Sequence, residues 1–271
     1  MNETLIRALS GAVYVVLLVT ATLYSRESFL LLFGLFLLQT VNEFSNLVKL
    51  NKIQALILSV LFFVNFTYFS KSEFSNWILV SISIFTLLLL AKWLFEIQSK
   101  PVVFSNWGLL IGYIIIPFIV IAKLAYISSG TVVSHFPHIV IGVFILIWTN
   151  DTFAYLVGKN FGTTKLFERI SPKKTVEGFL GGMLFAVIAG FIISQYYVTL
   201  LPFWQWIVIA VAVSVFGTVG DLVESKFKRI AGVKDSGSIM PGHGGILDRL
   251  DSIIFVAPFV YLFLKIIEYV S

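Results

Sequence analysis

The 271-residue chain contains no cysteine, which excludes disulfides, thiolate metal sites and cysteine nucleophiles. Charge is almost as scarce. Asp, Glu, Lys and Arg make up 12% of the residues, against about 25% in a soluble domain. The sequence also lacks a basic platform interleaved with aromatics, the pattern that holds single-stranded nucleic acid. The net charge of +5 sits in a few loops, so it speaks for topology and anionic substrates, with no nucleic-acid partner expected. What remains is apolar. Hydrophobic residues reach 58%, mean hydropathy is +0.97 and phenylalanine alone contributes 27 residues. The expected fold is an all-α, polytopic integral membrane helical bundle.

A bilayer-crossing helix needs about 20 mostly apolar residues. Nine spans are expected, near 8–24, 28–48, 53–70, 75–97, 105–127, 138–158, 178–198, 203–222 and 246–269. The first resembles a secretory leader, but further spans follow at once, so it reads as a retained helix. Two regions follow from this layout. Residues 1–130 hold about five N-terminal spans, and 131–271 form a C-terminal region with two functional loops, 159–177 and 223–247.

Orientation follows from the basic residues. With the N-terminus in the cytoplasm, fifteen of the 19 Lys and Arg fall on the cytoplasmic side. Arg26, Lys71, Lys123 and Lys265 fall on the other. The positive-inside rule favours this arrangement and leaves the C-terminus outside. Even without the two large loops, Arg7, Lys49, Lys52, Lys92 and Lys100 outweigh Arg26 and Lys71. The expected location is an integral protein of the bacterial inner membrane, with its functional loops facing the cytoplasm.

Residues 221–251, DLVESKFKRIAGVKDSGSIMPGHGGILDRLD, read as a polar loop. Asp221 and Asp248 mark its ends, each against a long apolar run. A carboxylate costs roughly 2.5–3.5 kcal/mol at the centre of a membrane helix and less near its border. Such residues serve an ion, a proton or a polar substrate. The last span has 13 charge-free residues, from Ser252 to Leu264, so it must reach back through Asp248, Arg249 and Asp251 or run past Lys265. Asp248 and Asp251 are three apart and share one helix face. Carboxylates beside a basic cluster suit metal-assisted chemistry on phosphates. The glycines around His243 suit a tight turn or a close backbone approach.

The other loop carries Ser171-Pro172-Lys173-Lys174-Thr175 just before a helix. Either Ser171, with Pro172 in the first turn, or Thr175 would cap that helix. Both choices bring hydroxyls, free N–H groups and two lysines to a helix start, a phosphate site in principle. A positive flank that only sets topology is the plain alternative. Gly178, Gly181 and Gly182 suit close helix packing. Asn150 and Asp151 lie inside the sixth span without a nearby basic partner, which makes Asp151 a functional candidate. Glu43 could line the same cavity or make a polar contact between helices. His135 and His138 read as structural.

The run Ser225-Lys226-Phe227-Lys228-Arg229, then Lys234-Asp235, His243-Gly244-Gly245, Asp248-Arg249 and Asp251 resembles the signature of the phosphatidate cytidylyltransferases, or CDP-diacylglycerol synthases. SPKKT, Glu177-Gly178 and Asn150-Asp151 fit the same family. Met240 departs from the Leu, Ile or Phe expected before Pro241, which alters packing and no chemistry. The likeness covers roughly the C-terminal half.

The resemblance implies that CTP and phosphatidic acid react to CDP-diacylglycerol and pyrophosphate. It also implies magnesium (Mg2+), a second, monovalent cation (K+), and a homodimer. On that reading Asp221 and Asp248 hold the metal, with Ser225 and Asp251 as supports or Asp251 as a further ligand. Lys173, Lys174, Lys228, Arg229 and Lys234 neutralise the two substrates' phosphates. Arg249 orients Asp248 or clamps a phosphate. His243 contacts phosphate, shuttles a proton or pins the loop, with substrate contact favoured over proton transfer. Ser171, Thr175, Asn150 and Asp151 complete the substrate site. The rival readings are a CTP-dependent polyprenol kinase and a secondary transporter. The latter should show an inverted repeat, and none is evident.

Overall fold

The computed structural model describes residues 3–70, 72–96, 105–129 and 132–270. Lys71 and Lys100, both used above to orient the chain, lie outside these residues, as does the expected division at 130. Among the described residues, nine helices are long and apolar enough to cross a bilayer. The chain is an all-α polytopic membrane bundle.

The first spans are α1 (Glu3–Tyr24), α2 (Arg26–Val48), α3 (Lys52–Val64) and α4 (Glu73–Phe95). Helix α3 continues through a π-helical turn to Phe69. The fifth span joins α5 (Asn106–Leu109) to α6 (Ile116–Leu124), also through a π-helical turn. A hairpin of β1 (Tyr126–Ser129) and β2 (Val132–His135) leads to α7 (His138–Phe161). A second hairpin, β3 (Lys165–Phe167) with β4 (Ser171–Thr175), leads to α8 (Val176–Tyr196). The last two helices are α9 (Phe203–Ile230) and α10 (Leu247–Val270).

Local signals explain the ends. Ser25 and Ser28 form a reciprocal cap at the start of α2, and Asn51 caps α3. Thr175, not Ser171, caps α8 by accepting from the Gly178 N–H at 3.1 Å. Ser171 begins a strand instead, because β4 pairs with β3 and Lys165 Nζ donates to the Pro172 carbonyl at 2.8 Å.

One boundary differs from expectation. The eighth span was expected to end at 222 with a loop beyond, yet α9 runs to Ile230. Its 28 residues correspond to about 42 Å, well beyond the roughly 30 Å hydrocarbon core. The extra turns hold because Leu222, Val223 and Phe227 bury apolar faces while Glu224 pairs with Lys228 one turn on. Gly232 ends the helix with φ of +73°. There the Val233 N–H reaches back to the Lys228 carbonyl and the Gly232 N–H to that of Arg229.

Two contacts position the polar end. Helices α7 and α8 approach through glycine: a Cβ on Gly178 would sit 2.6 Å from the Ala154 carbonyl oxygen, and one on Gly182 2.7 Å from that of Asn150. On the other side Phe227 of α9 stacks on Tyr113 at 5.8 Å, and Phe44 and Trp93 pack around it. Lys226 donates to the Trp93 carbonyl and lies 4.0 Å over the Trp93 ring. The N-terminal helices thus grip α9 just beneath the residues of interest.

Candidate active site

A cavity of about 760 Å³ opens where α7, β4, α9 and α10 converge. The 3.6-residue repeat brings Asp221, Ser225 and Lys228 to one face of α9, and Asp248, Asp251 and Ser252 to one face of α10. Asn150 and Asp151 project from α7, while Ser171, Lys173, Lys174 and Thr175 come from β4. Arg249 and Asp235 also line the cavity, with Lys159, Lys165 and Thr218. Residues separated by up to about a hundred positions therefore share one space.

The charges are arranged in pairs. Lys174 forms an ion pair with Asp221 Oδ2, and the Ser225 hydroxyl donates to Oδ1 at 3.2 Å. Lys228 sits between Glu224 Oε2 at 2.5 Å and Asp248 Oδ1 at 2.6 Å, with its side chain only 11% exposed. Asp248 Oδ2 accepts three bonds, from the Ser236 N–H at 2.9 Å, the Ser236 hydroxyl at 2.8 Å and the Gly245 N–H at 2.7 Å. Asp151, Asp221 and Asp251 lie close enough to feel one another's charge. Asn150 Nδ2 donates to Asp151 Oδ1 at 3.3 Å.

Four expected site residues lie off the cavity lining. Arg229 is exposed and donates to the Val233 carbonyl at 3.2 Å, inside its own turn. Lys234 is exposed on the loop beyond. His243 turns away toward α1, where Nδ1 lies 2.8 Å from the Ser10 hydroxyl and the ring packs against Gly11. Burial lowers the His243 pKa, and the neighbouring Arg249 and Arg7 lower it further. Ser225 is buried and reaches the site through Asp221.

Glu224 and Ser236 were not anticipated as part of the site, and Glu43 was left open between the cavity and a polar contact. Glu224 holds Lys228, and its signal was the four-residue spacing between them. Ser236 holds Asp248 and carried no signal of its own. Glu43 holds the loop behind both, and its signal was being the one acidic residue inside the apolar run of α2.

The donor chemistry fits a hard divalent cation. Asp248 Oδ2 is filled by N–H and O–H donors while Oδ1 pairs with Lys228, and Asp221, Asp248 and Asp251 line the cavity. Among the described residues no three acidic or histidine side chains converge closely enough to hold a metal alone. Magnesium takes one or two carboxylates and completes its shell with water and substrate phosphates.

Comparison with known proteins agrees with this geometry. The sequence profile described as the Cytidylyltransferase family matches residues 5–267. A stretch of 122 residues is 50% identical to a phosphatidate cytidylyltransferase of Bacillus subtilis (strain 168), covering 45% of each chain. Stretches of 127 residues are 46% identical to the phosphatidate cytidylyltransferases of Staphylococcus saprophyticus and Staphylococcus aureus (strain COL), covering 47% of this chain and 49% of theirs. The chain spans about half the length of the curated relatives it matches.

Proposed function

Because the chain belongs to the cytidylyltransferase family, we propose that it transfers CMP from CTP to phosphatidic acid, yielding CDP-diacylglycerol and pyrophosphate for phospholipid synthesis. The observation that carries this reading is the cavity itself: carboxylates of α7, α9 and α10 face lysines of β4 and α9 at the polar end of membrane helices. A lipid phosphate in the leaflet and a soluble triphosphate can both reach such a place.

In this reading a phosphatidate oxygen attacks the α-phosphorus of CTP in line. The new O–P bond forms as the α–β bridging bond breaks, and pyrophosphate leaves with the electron pair. The attacking monoester is already largely ionised at neutral pH, so no general base is required. Positioning and charge stabilisation dominate such transfers. Lys173, Lys174, Lys228 and Arg249 supply cationic and hydrogen-bonding contacts to the phosphates. Asp221 and Asp248 would hold magnesium, with Asp251 beside them and Ser225 bracing Asp221. A bound magnesium would supply Lewis-acid stabilisation of the charge that builds on the pyrophosphate leaving group. A second, monovalent cation such as K+ beside magnesium belongs to the same proposal.

The pairs Lys174–Asp221 and Lys228–Asp248 give the site a closed set of charges that substrate phosphates would exchange for new partners. The chain is an integral membrane protein. Its proposed placement is the bacterial inner membrane, N-terminus inside, C-terminus outside and cavity toward the cytoplasm, on the excess of Lys and Arg on that side. It is proposed to act as a homodimer and to need no nucleic acid.

The test is pyrophosphate release by the purified protein with CTP and magnesium, with and without phosphatidic acid. Lipid-dependent release with CDP-diacylglycerol as product is the expected result. Phosphorylation of a polyprenol with release of CDP would replace this reading with the kinase.

A further inference from the structure

Glu43 sits on α2, about two hundred residues before the loop it contacts, and is 2% exposed. A carboxylate buried within a membrane bundle is costly unless its lone pairs are filled. Four donors fill them. Oε1 accepts from Gln39 Nε2 at 2.8 Å and from the Ile246 N–H at 3.0 Å. Oε2 accepts from the Leu247 N–H at 2.8 Å and lies 3.1 Å from the Ser236 hydroxyl. Ile246 and Leu247 stand at the start of α10, where N–H groups have no partner within the helix. The carboxylate therefore caps α10 from another helix, and its charge suits the positive end of the helix dipole.

The same Ser236 hydroxyl lies 2.8 Å from Asp248 Oδ2. One hydroxyl has one proton, so Ser236 stands as a shared donor between two carboxylates. The backbone between them has no spare room. A Cβ on Gly245 would strike both Ser236 Oγ and the Glu43 carboxylate, and one on Gly237 would lie 2.6 Å from Glu43 Oε1. A Cβ on Gly244, whose φ is +86°, would lie 2.6 Å from Asp248 Oδ2. The glycines of this loop are thus explained by contacts inside the protein.

We propose that Glu43 is a positioning residue for Asp248. It anchors the 236–247 loop and the first turn of α10, so that Asp248 engages this loop through Oδ2, pairs with Lys228 through Oδ1 and lines the cavity. The inference rests on the reading of Asp248 as a metal-holding residue.

The experiment titrates Mn2+ alone into the full-length purified protein and follows free Mn2+ by electron paramagnetic resonance, for the wild type, Glu43→Gln, Ser236→Ala and Asp248→Asn. The magnesium concentration for half-maximal turnover and the KM for CTP are measured alongside. Glu43→Gln is expected to weaken Mn2+ binding by about ten- to a hundredfold, as loss of a ligand's bracing partner does. The magnesium requirement should rise with it while the KM for CTP stays within about threefold. Ser236→Ala should weaken Mn2+ binding by a smaller factor. A folded Glu43→Gln protein with unchanged Mn2+ affinity and magnesium requirement overturns the proposal. If that variant does not fold, Glu43→Asp takes its place, keeping the charge but shortening the reach to the Ile246 and Leu247 N–H groups, and an unchanged Mn2+ affinity there overturns the proposal. If Asp248→Asn binds Mn2+ like the wild type, the metal assignment has failed and the inference falls with it. If Asp248→Asn loses binding and Glu43→Gln does not, the positioning claim alone has failed.

Discussion

The N-terminal helices α1–α6 and the C-terminal helices α7–α10 divide the work unequally. Among the described residues, every one lining the cavity falls between Asn150 and Ser252. The described N-terminal half lines none of it, yet it holds the parts in place. Glu43 caps α10, the Trp93 carbonyl receives Lys226, and Ser10 receives the Pro241–His243 turn. Chemistry needs particular side chains at particular points, whereas support needs only a buried surface and a few filled hydrogen bonds. The supporting half can therefore be almost wholly apolar, with its few polar residues placed where the other half needs an anchor.

Substitutions on the two sides should separate these roles. The largest effect is expected from Asp221→Asn and Asp248→Asn. Each should lower CTP- and phosphatidate-dependent pyrophosphate release by more than about 10³-fold, beyond the loss of a single transition-state donor. The melting temperature in detergent should stay close to that of the wild type. A near-wild-type rate in either would detach the chemistry from these carboxylates.

Phe33→Ala tests the other half. Phe33 is fully buried against Phe29, Phe36 and Phe144. Its removal should cost about 3 kcal/mol of stability, read as a lower unfolding midpoint, while turnover per folded molecule persists. A catalytic defect without lost stability would erase the division between the halves.

A smaller change is expected at the junction between hairpin and helix. Thr175→Ala removes the cap of α8 and should cost about 1 kcal/mol, with a modest rise in the KM for CTP as β4 loosens. Thermal melts and steady-state kinetics on the same preparation check both parts. The smallest effect is expected from Arg229→Ala and Lys234→Ala, exposed and off the cavity lining. Each should change kcat/KM by roughly twofold or less, in keeping with surface positions. A loss as large as that of Lys228→Ala would mean that the loop folds over the substrates during turnover.

Much of this was legible from residue order because the governing physics is local. Long apolar runs specify spans, and all nine appear where hydropathy places them. Asp221, Lys228, Asp248 and Asp251 stand out because charge beside apolar runs is rare. The end of α9 was misplaced because membership of a membrane span was read from hydropathy. Residues 223–230 are too polar for lipid but form helix well, and buried Phe227 keeps them ordered. Glu43 was weighed and left open, since a lone carboxylate in an apolar helix does not say what it meets.

The amino-acid order by itself determined the membrane bundle, its spans and the chemical character of the site, since hydropathy and residue type act within a few positions of the chain. Only the tertiary structure decided that Lys174 meets Asp221, that Lys228 bridges Glu224 and Asp248, and that Glu43 anchors the loop behind Asp248. Three of these contacts join different elements, and even the Glu224–Lys228 pair gains its place at the site only when α10 brings Asp248 to Lys228. Each is set by how the helices pack, a property of the whole bundle that no short stretch of sequence contains.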